Sequence, residues 1–125
     1  MTYTGKYREA VDAATHATQL CRGTVSEPMA KSAELFARLM YGDTEGAIKA
    51  GRSSLDALYF RPTIADLMTA YSRAGRIEEG KRHLDLLVRR EPDLSLDMLR
   101  SAHYPIVNPE HRRVIVEAAS CLGLV

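Results

Sequence analysis

The sequence has no tryptophan and only two phenylalanines, and aromatic residues are 6% of its 125 positions. That argues against a nucleic-acid reader, which stacks bases on aromatic side chains within a basic surface. No charge of one sign dominates. Seventeen Lys and Arg stand against 16 Asp and Glu, so a net charge of +1 offers no broad field to nucleic acid or an anionic membrane. No apolar run approaches the roughly 20 residues of a spanning helix, and the polar N-terminus lacks the apolar region of a signal peptide. The two cysteines, Cys21 and Cys121, lie near opposite ends, which argues against a disulfide framework and points to buried or idle thiols in a reducing compartment. These absences together read as a cytoplasmic protein with no membrane partner.

Catalytic and cofactor signatures are missing as well. His16, His83, His103 and His111 fall on separate expected elements, and none has a Cys or His at metal-ligand spacing. His83, between Arg82 and Asp85 in its helix, reads as part of a solvated face. Neither cysteine has a paired His and acid by local signature. Gly42, Gly46 and Gly51 lie on a turn and a helix rather than after a strand, so no phosphate-binding loop forms. The reading is therefore of a chain that is not an enzyme, with no cofactor and no metal.

What is present is ordinary for one globular domain with a continuous core: 46% hydrophobic and 26% charged residues. Ile64 to Pro92 carries the clearest pattern. Ile64, Leu67, Met68 and Tyr71 recur at i, i+3, i+4 and i+7, one buried helical face. Pro62 suits the first turn of that helix and Gly75 its left-handed stop. Ile77, Gly80, Leu84, Leu87 and Val88 form a second periodic run. Glu78 and Glu79 at its start and Arg89 and Arg90 at its end match the helix dipole. Pro92 ends it, because the residue before a proline avoids helical dihedrals.

This pair of helices resembles a tetratricopeptide repeat, two antiparallel helices in about 34 residues. Ile64 stands at the family's Trp position, Leu67 at its Leu, Tyr71 at its Tyr, Gly75 at the turn glycine, Leu84 at the Phe or Tyr and Pro92 at the closing Pro. Met68 departs from a small residue, and Gly80 and Leu87 from Ala. The resemblance implies an all-α fold, a TPR-like superhelix of antiparallel helix hairpins (an α-solenoid), closed by C-terminal capping helices.

The glycines extend the pattern. Gly5 precedes Ala10 by five positions, as Gly42 precedes Ala47 and Gly75 precedes Gly80. Residues 6–21 then form a half repeat, a single helix with Ala10, Ala14, Ala17 and Cys21 on one small-residue face. Residues 29–59 form a repeat with Leu35, Phe36 and Leu39 in its first helix. Its second helix is capped by Asp43 or Thr44 and runs through Ala47, Ile48, Gly51, Leu55 and Leu58. Gly51 stands at the position of Leu84, so either this repeat is looser or a neighbour approaches it closely. Residues 60–62 join it to the repeat over 62–91. Gly23 closes the first helix and Ser26 caps the next.

Residues 95–123 read as capping helices. Ser95 caps a short helix with Met98 and Leu99 buried, Tyr104-Pro105 breaks it, and Asn108-Pro109 starts the last helix. His111, Arg112 and Arg113 would give that helix a polar outer face. This tail is also similar to the end of bacterial signalling proteins in which such repeats follow a nucleotide cyclase or a winged-helix domain. The missing partner of the first helix implies either that residue 1 lies inside a longer parent or that this end packs against another molecule, and the second resemblance fits the longer parent.

The functional expectation is a protein-interaction module that binds a peptide or partner protein, or self-associates as a homo-oligomer through its N-terminal helix. The alternative is a regulatory or sensory accessory domain of a cyclase or transcription regulator. By alignment the concave face includes Ala33, Ala37, Met40 and Tyr41 from one repeat, and Ala65, Thr69, Ser72 and Arg73 from the other. The candidate partner-binding residues are Ala37, Met40, Tyr41, Thr69, Ser72 and Arg73. The Lys and Asn with which some family members clamp a terminal carboxylate are absent. The basic groups Lys81-Arg82-His83, Arg89-Arg90 and His111-Arg112-Arg113 read as solvated faces with pairs such as Glu78 to Arg82.

Overall fold

The computed structural model describes residues 4–57, 61–101, 104, 106 and 108–125, and the side chains of these segments outside 4–6, 54–57 and 61–62. Within them the chain is all-helical: α1 (Thr4–Leu20), α2 (Glu27–Tyr41), α3 (Thr44–Ala57), α4 (Arg61–Arg73), α5 (Ile77–Arg90), α6 (Leu96–Arg100) and α7 (Pro109–Cys121). No strand occurs among the described residues. The roles expected of Leu55 and Leu58, of the junction at 58–60, and of His103 and Pro105 lie outside those residues.

The helix stops follow the sequence. Gly42 and Gly75 both take positive φ (104° and 77°), which an L side chain rarely adopts. The Gly42 amide bonds back to the Arg38 and Leu39 carbonyls, closing α2. Caps are more varied. Ser95 Oγ accepts from the Met98 amide and Asn108 Oδ1 from the Glu110 and His111 amides, as expected. Asp43 Oδ1 accepts from the Gly46 amide at 3.0 Å and so caps α3. Ser26 sits at the N-cap of α2 but its side chain makes no capping bond. Glu27 instead reaches back to the Gly23 amide at 2.9 Å, tightening the turn that Ser26 was expected to hold.

Helix α4 is the centre of the packing. Every residue from Thr63 to Tyr71 is buried, and α4 packs against α2, α3, α5 and α7. Its two faces serve different clusters. Leu67, Ala70 and Tyr71 join Leu35, Leu39, Ala47, Ile48 and Ala50 of α2 and α3. Ile64, Ala65 and Met68 join Leu84, Leu87, Leu99, Ile115 and Ala119 of α5, α6 and α7, and Leu122 just beyond α7. The continuous core expected is therefore divided, because α4 is buried all round and separates Leu35, Leu67 and Tyr71 from Leu84.

Two glycines permit close approach. A Cβ on Gly51 would lie 2.7 Å from Leu67 Cγ and Cδ2 and 3.0 Å from Leu35 Cδ2. Of the two explanations open at Gly51, close approach is the one found. A Cβ on Gly80 would lie 3.0 Å from Leu122 Cδ2, so α5 receives the end of the chain there. The C-terminus is tied further by the Leu96 amide, which donates to the Val125 carbonyl at 3.2 Å.

A third cluster joins the two ends of the chain. Tyr7 of α1, Met40 of α2 and Val114 of α7 pack together, with Ala10, Phe36 and Tyr41 around them. Polar contacts between α1 and α2 add to this. Arg38 donates to Glu34 and Asp43, both at 2.7 Å, and to Thr15 Oγ1 at 3.2 Å. Thr18 Oγ1 donates to Glu34 at 2.9 Å. Burial pulls the Arg38 pKa down, yet the hydrogen bonds to Glu34 and Asp43 outweigh it and hold the guanidinium above its ordinary value. No described helix is long and apolar enough to cross a membrane.

Candidate functional site

The start of α7 gathers the most unusual side chains. Asp66, buried in the middle of α4, meets His111 Nε2 at 2.5 Å. Phe36 of α2 lies edge-on to the His111 ring, centroids 4.6 Å apart, and Tyr7 lies edge-on to Phe36 at 5.9 Å. Asn108 caps α7 with its oxygen and donates from Nδ2 to the Tyr7 hydroxyl at 2.9 Å. Residues from α1, α2, α4 and α7 therefore converge at one junction. Burial pushes the Asp66 carboxyl above its ordinary pKa, against the opposing pull of the His111 hydrogen bond and charge.

This junction corrects two expectations about the last helix. His111 does not belong to a polar outer face, because it turns inward to satisfy a buried carboxylate. Arg112 turns inward too. Its Nη2 donates to the Tyr104 carbonyl at 3.0 Å and to the Ile106 carbonyl, and its Nη1 reaches the Arg100 carbonyl at 3.5 Å. Only Arg113 of the three is exposed. The sequence could hint at the Asp66–His111 pair only through Asp66 itself, an acid in the middle of an otherwise apolar and small helix. Among the described residues no hydroxyl or thiol is bonded to His111, and no group of three potential ligands could hold a metal.

The six candidate partner-binding residues separate into two groups. Ala37, Met40 and Thr69 are buried. Met40 packs on Tyr7 and Val114, and Thr69 donates its hydroxyl to the Ala65 carbonyl at 2.8 Å. Tyr7 of α1 and Val114 of α7 lie over Met40, so that residue is covered by the two ends of the chain. Tyr41 and Ser72 are half-buried, and Arg73 is exposed. These three remain at the surface.

His83 also differs from the solvated histidine expected. Its Nδ1 lies 2.8 Å from the Glu79 carbonyl and its ring lies 5.1 Å from that of Tyr71. Arg76 sits over the other part of that Tyr71 environment, 5.0 Å from the ring centroid, and pairs with Glu79. Among the described residues Glu79, not Glu78, holds the ion pair of α5's first turn. Met98, expected in the core, is 36% exposed, while its neighbour Leu99 is buried.

The surface has three features of its own. The tip of the α1–α2 hairpin exposes Leu20 (71%), Val25 (96%) and Met29 (55%), three apolar side chains within ten residues of chain. A depression of about 340 Å³ lies between α2 and α3, lined by Lys31, Glu34, Arg38, Gly46, Lys49, Ala50 and Ser53. A shallower groove of about 270 Å³ lies along α7, lined by Arg100, Pro109, Arg112, Arg113, Val116 and Glu117. Sequence reasoning missed both grooves, since each depends on which helices lie side by side.

The chain matches no protein family, no curated protein and no solved structure at a significant level.

Proposed function

We propose that this chain is a non-catalytic helical interaction module that binds a partner protein or peptide. The observation that carries the reading is the exposed apolar tip formed by Leu20, Val25 and Met29. Water-exposed apolar side chains gathered at one place mark a contact surface more often than isolated ones do. The order of packing supports the tetratricopeptide-like reading: α2 lies against α3, α4 against α5, and α4 against the preceding pair. In that reading α1 is a half repeat and α6 and α7 are the cap. Arg73, Ser72 and Tyr41 add the polar contacts still at the surface.

The test combines cross-linking mass spectrometry on captured partners with sedimentation velocity across protein concentrations. It compares the native chain with a Leu20→Ser, Val25→Ser, Met29→Ser variant. These side chains are exposed, so the variant should keep its melting temperature. Cross-links mapping to the α1–α2 tip, lost in the variant, are the expected result. A dimer through the same tip would place a second copy there instead. Retention of every contact by the folded variant would end the proposal for this surface.

A further inference from the structure

We infer that the depression between α2 and α3 is a binding site for a small phosphorylated compound, held by its phosphate monoester. The inference is independent of the protein-contact reading and concerns a different part of the surface.

Three observations carry it. First, two helix faces supply the lining. Lys31, Glu34 and Arg38 recur at i, i+3 and i+7 on α2, and Lys49 and Ser53 lie one turn apart on α3. Second, the acids beside them are already satisfied. Glu34 Oε1 accepts from the Thr18 hydroxyl at 2.9 Å, and its Oε2 accepts from Arg38 Nε at 2.7 Å. Asp43 Oδ1 accepts from the Gly46 amide at 3.0 Å, and its Oδ2 accepts from Arg38 Nη1 at 2.7 Å. Third, Lys31, Lys49 and the Ser53 hydroxyl make no hydrogen bond or ion pair among the described residues, although Lys31 is half-buried. Lys31, Arg38 and Lys49 stand against Glu34 and Asp43, which leaves one positive charge in excess. The depression therefore offers two ammonium groups and a hydroxyl to an anion.

Donor type selects phosphate. Arg38 gives Nε to Glu34, Nη1 to Asp43 and Nη2 to Thr15, so a carboxylate meets no free fork of the kind it pairs with best. Lysines act as compact point charges, and the three oxygens of a phosphate monoester can accept from two lysines and a hydroxyl along separate directions. Size selects a small compound. A volume of about 340 Å³ lies at the lower end of the range for small-molecule pockets.

The experiment titrates the isotope-labelled native chain with glycerol phosphate and follows amide NMR shifts. Saturable shifts gathered around Lys31, Lys49 and Ser53 are expected. Glycerol should give none. Succinate, which carries nearly the same charge on planar carboxylates, should bind several-fold more weakly. A Lys31→Gln, Lys49→Gln variant should weaken binding on the order of tenfold, and Ser53→Ala should weaken it less. A Lys81→Gln, Arg82→Gln variant changes the net charge by the same amount on α5 and should bind as the native chain does. All four of these cations reach solvent, so both double variants should keep the native melting temperature. Shifts scattered over the surface, equal losses in the two double variants, or succinate bound as tightly as the phosphate would overturn the inference. A phosphoserine peptide that binds more tightly than glycerol phosphate would also overturn it, by assigning the site to a protein partner. The absence of any saturable shift would refute the site and leave the reading of the α1–α2 tip standing.

Discussion

Replacing Gly51 by Ala tests the packing of α3 on α4, because two opposing effects meet at that atom. Alanine is the better helix former by about 1 kcal/mol. The new Cβ, however, would fall 2.7 Å from Leu67 Cγ and Cδ2, and 3.0 Å from Leu35 Cδ2. Neither leucine can retreat easily, since both are fully buried in the same cluster. Overpacking a filled core costs roughly 1–3 kcal/mol. The net expectation is a loss of about 1 kcal/mol, or a drop of about 3–6 °C in melting temperature for a chain of this size. Urea unfolding followed by circular dichroism measures it. The sharper form is a double-mutant cycle. Leu67→Ala alone should lose about 2–5 kcal/mol. In that background the obstructing atoms are gone, so Gly51→Ala should become stabilising by up to about 1 kcal/mol. A Gly51→Ala chain that is more stable than the native one, or a cycle with no change of sign, would refute the close approach.

Other outcomes follow from the polar junction and the caps. His111→Ala strips Asp66 of its partner inside the core and should destabilise by about 3–5 kcal/mol, while Asp66→Asn with His111 retained should lose less. The folded chain holds the Asp66 proton more tightly than the unfolded chain does. Asp66 therefore contributes stability in full below its unfolded value near 3.8, and that contribution is lost as pH rises through the higher folded value. Urea midpoints of native and Asp66→Asn chains from acid to neutral pH should diverge in that sense, and parallel curves would rule it out. Ser95→Ala should cost about 1 kcal/mol by removing the cap of α6. Asn108→Ala should cost more than that, because Asn108 also holds the Tyr7 hydroxyl. Equal losses from the two cap substitutions, read in thermal melts, would contradict the link between the chain ends.

Much of the fold was legible because helix signals are local. The periodic runs at Ile64–Tyr71 and Ile77–Val88, the stops at Gly42 and Gly75, and the caps at Ser95 and Asn108 each act within a few residues. Their helices lie close to where the pattern put them. Ser26 misled because Glu27 and Thr24 supply competing partners in the same turn. Met98 misled because α6 is a single short turn of chain, too brief for periodicity to fix its buried side. The candidate site was the least legible part. Met40 was placed by aligning two repeats, and an alignment of repeats contains no information about the Tyr7 and Val114 that α1 and α7 lay over it.

Among the described residues, the amino-acid order by itself determined the seven helices, most of their ends and most of their buried faces, since propensity, capping and periodicity are properties of neighbours along the chain. Only the tertiary structure decided that α4 is enclosed on both sides, that His111 and Arg112 turn inward, and that Tyr7 meets Asn108 from a hundred residues away. Those outcomes depend on a buried carboxylate, loose carbonyls and a hydroxyl finding partners from distant segments. Burial leaves each polar group to be satisfied by whatever the fold brings beside it.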